Sequence, residues 1–499
     1  MSAIGDDKPP RLARAMYKRF VLAGVLIVML SAGTVASAGL LEVNQLVSIV
    51  RNEGHVIPGL NGALDNVDAG GPQTILVLGS DRRFIDIKQD NPVRSDTMML
   101  VRLDPSKEAT TVMSIPRDLK VDIPTKQGVV TGKINAAYAY GGPALSVRTV
   151  KQLLGIPINH VVNVNFGGFR RAVDRLGCVY VDVDRHYYHS NAGLPPSAQY
   201  AEINVQAGYQ KLCGQHALDY VRYRHSDDDL VRSARQQDFL RQAKDQVGLS
   251  KIFSDRKGLL RIFARYTDTD VHSDTAILRL LKLVLESSGH PIREVQFRGD
   301  SGPTYVTITP DNLERSKQEF LNATASRGPR RVGSSAGSRP RRGAKRSSPG
   351  LPAGVVDARI QGEDHVAQAS TSTGFPLYYP RDRLANGAYV GNGPRVYDIF
   401  DRAHHRYRAY RIVASAGLNG QYYGVQGTSW KSPPILDDPS ERERMRGRTY
   451  EIFYDGDRIR LIAWRTPRAV YWVSNSLSQT LNNAQMRAIA RSLSRVGEK

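Results

Sequence analysis

Cysteine is nearly absent from this 499-residue chain, which has only Cys178 and Cys213. Neither belongs to a CxxC pair or a Cys/His ligand spacing, which excludes the usual zinc frameworks. The residues leave two states open: two buried thiols or, in an exported chain, one disulfide. Acidic residues are scarce too, with 48 Asp and Glu against 69 Lys and Arg and a formal net charge of +21. That excess suits anionic partners in general. Its location narrows the field, because Arg327 to Arg346 carries eight Lys/Arg and no acid. The rest of the chain is only mildly basic. The tract lacks a helix-turn-helix and is expected outside the cytoplasm, so no nucleic-acid partner is expected. Large apolar residues are few in 326–372, a stretch rich in Ser, Gly, Pro and Arg that reads as a basic disordered linker.

Charge is missing altogether from Phe20 to Leu41, a run of 22 residues. As a helix it spans roughly 33 Å, enough for a bilayer core. Arg11, Arg14, Lys18 and Arg19 precede it. The positive-inside rule then puts residues 1–19 in the cytoplasm and everything after residue 41 outside. Ala36-Ser37-Ala38 offers a signal-peptide cleavage site, but the apolar run continues to Leu41, which favours an uncleaved, single-pass membrane anchor. Either way the remainder is exported.

Residues 42–71 are polar and Gly-rich and read as a stalk. A globular pattern then covers 72–325. Thr74–Leu78, Met98–Leu103 and Thr111–Ile115 are short continuous apolar runs, as in buried strands. His160–Asn165, Val179–Val183 and Ile292–Phe297 also read as strands. Helices are expected at Pro143–Leu154, Phe169–Leu176, 229–247, 256–265 and 276–287. The alternation predicts an α/β domain with a central mixed sheet flanked by helices. After the linker, 373–499 reads as a small α+β accessory domain, with a hairpin turn at Asp455-Gly456.

Four clusters in the first domain carry chemistry. Gly79-Ser80-Asp81-Arg82-Arg83 ends the first buried strand. Arg94-Ser95-Asp96-Thr97 precedes the second, and Ile115-Pro116-Arg117-Asp118 closes the third. Tyr220-Val221-Arg222-Tyr223-Arg224 runs on to Asp229 and Arg232-Ser233-Ala234-Arg235-Gln236. Sheet ends are where α/β folds build sites. Two carboxylates, Asp81 and Asp96, suit a hard cation such as Mg²⁺, which shares its oxygen ligands with substrate phosphates. Arg222 and Arg224 alternate, so a strand would point both to one face. Arg232 and Arg235/Gln236 share a helix face. With Arg94 and Arg117 they form a guanidinium set suited to phosphate. The competing reading for any one pair is an ordinary surface ion pair.

These clusters, in this order, resemble the LytR-CpsA-Psr family of cell-wall phosphotransferases. So do Lys133-Ile134-Asn135-Ala136-Ala137-Tyr138 with Gly141-Gly142, and Phe169 through Asp174 to Gly177. The resemblance covers roughly residues 74–245. It implies transfer of a phosphorylated glycopolymer from a polyprenyl pyrophosphate carrier to the 6-hydroxyl of N-acetylmuramic acid in peptidoglycan, next to membrane lipid. It implies Mg²⁺, with Mn²⁺ as the alternative, on Asp81 and Asp96. Arg82, Arg94, Arg117, Arg222, Arg224, Arg232 and Gln236 would bind the pyrophosphate, and the lipid tail would lie in an apolar groove. Asp118 and Asp229 are the candidate bases, Asp229 the better placed within the arginines. Family members often have glycine at Cys178 and lack cysteine at Cys213, and this paired departure favours a disulfide. A polyprenyl pyrophosphatase and a non-catalytic wall-polymer binder are the alternative functions.

Overall fold

The computed structural model describes residues 44–497, except 61, 67–70, 81–94, 108, 196–198, 224–228, 248–253, 288–289, 291, 323–350, 369–372, 418–419 and 446. The expected membrane segment lies outside the described residues, and among those described no helix is long and apolar enough to cross a membrane.

The apolar runs become neighbouring strands of a mixed seven-stranded sheet. Its order is His55–Val56, Thr267–Thr269, His160–Asn165, Gln73–Ser80, Ser95–Leu103, Thr110–Ile115 and Ile292–Val295. Gln73–Ser80 runs parallel to His160–Asn165 and antiparallel to Ser95–Leu103. Both faces are covered. Leu76, Leu78, Leu100 and Met113 pack with Val147, Val150 and Leu154 of helix Ala136–Leu154. Ile75, Leu103 and Val162 pack with Leu283 of helix Asp274–Ser287. Two covered faces explain why these strands read as unbroken apolar runs. Burying one such side chain contributes about 2 kcal/mol.

The long helix starts before Pro143, at Ala136, and kinks where Gly141 and Gly142 leave helical geometry. Gly142 has φ 61°, a region that glycine enters without steric cost. A Cβ on Gly141 would stand 2.7 Å from that of Leu145.

Two boundaries differ from the sequence reading. Within the expected stalk, residues 44–53 form a helix, and its Val47 and Val50 pack with Val271 and Ile277. Within the expected linker, Val355–Asp357 is a strand and Arg359–Ala367 a helix of the C-terminal domain. Residues 355–367 carry too few apolar residues to announce a core, yet Val355 and Val366 join one built elsewhere; residues 44–53 do carry Leu46, Val47, Ile49 and Val50, which the stalk reading passed over.

The C-terminal domain is mostly β, not α+β. Its antiparallel sheet has the order Tyr389–Phe400, Arg406–Ser415, Tyr422–Thr428, Val470–Ser474, Arg458–Arg465, Arg448–Asp455, Glu441–Met445. The hairpin turn lies one residue later than read: Asp455 pairs with Arg458, which leaves Gly456-Asp457 as the loop. One face, with Tyr410, Ile412, Ile462 and Tyr471, packs on Met486 and Ile489 of helix Asn483–Arg491. That helix is started by an Asn482/Gln485 capping box. The other face packs Ala409, Leu461, Val470 and Trp472 against Tyr180 and Tyr209 of the first domain.

Candidate functional site

The strand register gathers distant segments at one sheet edge. Gly79 pairs with Thr97 and Ser80 with Ser95, with an irregularity between them. Ser80 also pairs with Asn165, and Met98 with Ile115. Asp81 follows Ser80, Asp96 lies between Ser95 and Thr97, and Arg117 follows closely on Ile115. Asp81, Arg82, Arg94 and Arg224 lie outside the described residues, as do the side chains of Asp96 and Asp229.

Arg117 and Asp118 occupy the turn after Thr110–Ile115. The Lys133-Ile134-Asn135 run is pinned on that turn, with the Ile134 amide donating to the Leu119 carbonyl (2.9 Å) and the Asn135 amide to that of Arg117 (3.2 Å). This brings Lys133 Nζ within 3.2 Å of Asp118 Oδ1. The same oxygen is 3.7 Å from Arg117 Nε. Asp118 is thereby held between two cations, which suits orienting Arg117 better than taking a proton. Lys133 was legible only as part of a family-like run.

Arg222 closes helix Gly214–Arg222, so the strand expected for Arg222 and Arg224 is absent at Arg222. The helix begins where Asp174 accepts the Gly214 amide (2.7 Å). Cys178 and Cys213 are joined by a disulfide, with Cα atoms 4.5 Å apart. The Arg222 guanidinium stacks 4.7 Å from the Phe166 ring and donates to the Tyr200 carbonyl at 3.2 Å. Phe166 follows Asn165, so Arg222 stands at the gathered edge. Burial pushes the Asp219 carboxyl up, against the pull of Gln215 and of Arg222.

Helix Asp229–Gln246 completes the edge. Gln236 Nε2 donates to Thr97 Oγ1 (3.0 Å) and to the Val221 carbonyl (3.1 Å). One side chain thus joins the strand after Asp96, the Arg222 helix and its own helix. Arg232 is buried at 5% exposure and Arg235 at 0%. Arg235 does not share the site face with Gln236. Its guanidinium bonds the Tyr223 carbonyl and lies 4.7 Å from the Tyr187 ring and 5.7 Å from that of Tyr220. It is a structural pin. Thr97 was legible only as the last residue of its cluster, since a threonine inside a strand gives no signal of its own.

The profile of the LytR_cpsA_psr family matches residues 45–321, more than half of the chain. The chain is similar to a Bacillus subtilis protein named polyisoprenyl-teichoic acid–peptidoglycan teichoic acid transferase TagT, with 32% identity over 60% of this chain and 93% of that one. It is 38% identical to an uncharacterized Staphylococcus aureus protein over 34% of this chain, and spans only 41% of that protein's length. Among solved structures, TagT with bound octaprenyl pyrophosphate lipid is 27% identical, covering 54% of this chain and 98% of that one, at a TM-score of 0.38.

Proposed function

The chain belongs to the LytR-CpsA-Psr family, and from that premise we propose that it moves a phosphorylated glycopolymer from a polyprenyl pyrophosphate carrier to the 6-hydroxyl of peptidoglycan N-acetylmuramic acid. The observation that carries the reading is the gathering of Ser80, Ser95, Arg117, Arg222 and Gln236 at one sheet edge. The similarity to a protein named as a teichoic acid transferase supports the reaction class.

The proposed cofactor is Mg²⁺ (Mn²⁺ as the alternative), with Asp81 and Asp96 to hold it. The donor set suits the ion, because carboxylates offer hard oxygens, and Asp81 and Asp96 adjoin in sequence the paired Ser80 and Ser95. When bound, the ion supplies charge neutralisation at the diphosphate. Arg82, Arg94, Arg117, Arg222, Arg224 and Arg232 bind the pyrophosphate as bidentate forks, with Gln236 beside them. In the step itself the muramic acid hydroxyl oxygen bonds to the sugar-linked phosphorus. The bond from that phosphorus to the bridging oxygen breaks, and polyprenyl phosphate leaves with its charge held by arginine. Asp229 takes the hydroxyl proton, while Asp118 orients Arg117.

We place this chemistry outside the cell, anchored by residues 20–41. The disulfide accords with an oxidising compartment. Purified Arg117→Ala and Asp96→Ala variants are expected to lose about a hundredfold or more in kcat/KM on lipid pyrophosphate, and a chelator is expected to abolish turnover. Near-normal rates in both variants overturn the assignment.

A further inference from the structure

The arginine helix has two halves with different neighbours. Arg232 and Gln236 stand in the half at the site. The other half is tied to strand Val179–Val183. Gln246 accepts from the Tyr180 amide (2.8 Å) and donates to the Tyr180 carbonyl (2.6 Å). Gln242 accepts from the Asp182 amide at 3.2 Å. The C-terminal domain grips these same residues. Arg411 Nη1 lies 3.0 Å from Asp182 Oδ1, with side chains only 1% and 6% exposed. Trp472 Nε1 donates to the other oxygen at 3.1 Å. The Tyr180 hydroxyl donates to the Phe400 carbonyl (2.7 Å), and Arg402 donates to the Gln246 carbonyl (3.0 Å). A second tie runs from Arg241 on the helix to Glu294 (2.9 Å), while the adjacent Arg293 pairs with Asp455 of the C-terminal hairpin (3.1 Å).

We propose that the C-terminal domain is a positioning element for the pyrophosphate-binding arginines, acting through its grip on Asp182 and Gln246. This rests on the function proposed above. A continuous helix carries the constraint from Gln246 to Arg232, about 21 Å away. A phosphate clamp tolerates little displacement, so the grip sets substrate affinity as well as stability. Asp182, Arg411, Trp472 and Arg402 are positioning residues, and none is expected to touch substrate.

The test uses the whole chain and a polyprenyl pyrophosphate-linked glycopolymer. Arg232→Ala reports on the function itself. Arg411→Met removes one partner of a buried pair and is destabilising, so a Trp472→Phe/Arg402→Ala double variant, which loses the bonds to Asp182 and Gln246 and one ring of the buried indole but keeps the Arg411–Asp182 pair, is measured beside it. Well below its melting temperature, the double variant is expected to raise KM about tenfold with kcat within about twofold. A lower melting temperature with KM unchanged, while Arg232→Ala is inactive, overturns the positioning role and leaves the function standing. An active Arg232→Ala overturns both.

Discussion

Gln236 is the residue on which the site depends most visibly, because its amide joins Thr97 and Val221. Gln236→Leu keeps much of the volume but leaves both acceptors without this donor. It is expected to cost about 2 kcal/mol of stability, from two neutral hydrogen bonds, and to lower turnover; chemical denaturation and the transfer assay check the two effects. Part of this scale was legible. Arg117 and Gln236 stood out in short charged clusters, and both come to the gathered edge, while Asp81 and the Asp96 side chain lie outside the described residues. Arg222 was found with the wrong local structure, since Tyr220 to Arg224 alternates like a strand. What makes it helical is the Asp174 carboxylate on the Gly214 amide, a contact from another helix that no local pattern reveals. Arg235 erred the other way: sequence gives helix spacing but cannot tell a guanidinium facing phosphate from one packed on Tyr187 and Tyr220.

At the scale of elements, the seam between strand Ile292–Val295, the arginine helix and the Asp455 hairpin concentrates charge. Glu294 meets Arg241, Asp455 and Arg460 there, with Asp245 also close to Arg241. Burial pushes the Glu294 carboxyl from 4.5 up to about 7, against the pull of Arg241. Burial, then the neighbouring Arg241, brings Arg460 down to about 10, so it stays charged at neutral pH. Between these Glu294 values the folded protein holds a proton that the unfolded chain has released. Its contribution to stability is therefore full below about pH 4.5 and lost as pH rises through 7. The melting temperature is expected to fall between pH 5.5 and 8, a window chosen around that value. Glu294→Gln is expected to flatten the slope; an unchanged slope contradicts the assignment. No local pattern gives the reason for the unbroken apolar run Tyr471-Trp472-Val473. Tyr471 and Val473 face the domain's own core, whereas Trp472 faces Tyr209.

At the scale of the whole molecule, the two domains share an aromatic core. Tyr180 and Tyr209 of the first domain lie among Trp430, Trp472 and Tyr397 of the second. The Tyr397 hydroxyl bonds the Tyr209 carbonyl (3.0 Å) and the Tyr209 amide bonds Gln426 (3.2 Å). A chain cut by an engineered protease site within residues 323–350 is therefore expected to elute as one particle on size exclusion. Residues 351–497 produced alone lack the cover over Trp472 and are expected to aggregate. The sequence suggested a separate accessory module because composition marks a break at 326 without showing what docks on what.

The reaction proposed for the whole molecule is phosphoryl transfer to a sugar hydroxyl at the gathered strand edge. It is tested by product analysis after incubating the whole chain, lipid pyrophosphate-linked glycopolymer and a divalent cation, with and without peptidoglycan. Polyprenyl phosphate release is expected to depend on peptidoglycan, with a phosphodiester on muramic acid that disappears in Arg117→Ala. Equal release without peptidoglycan, giving free polymer phosphate, would contradict it and identify water as the acceptor.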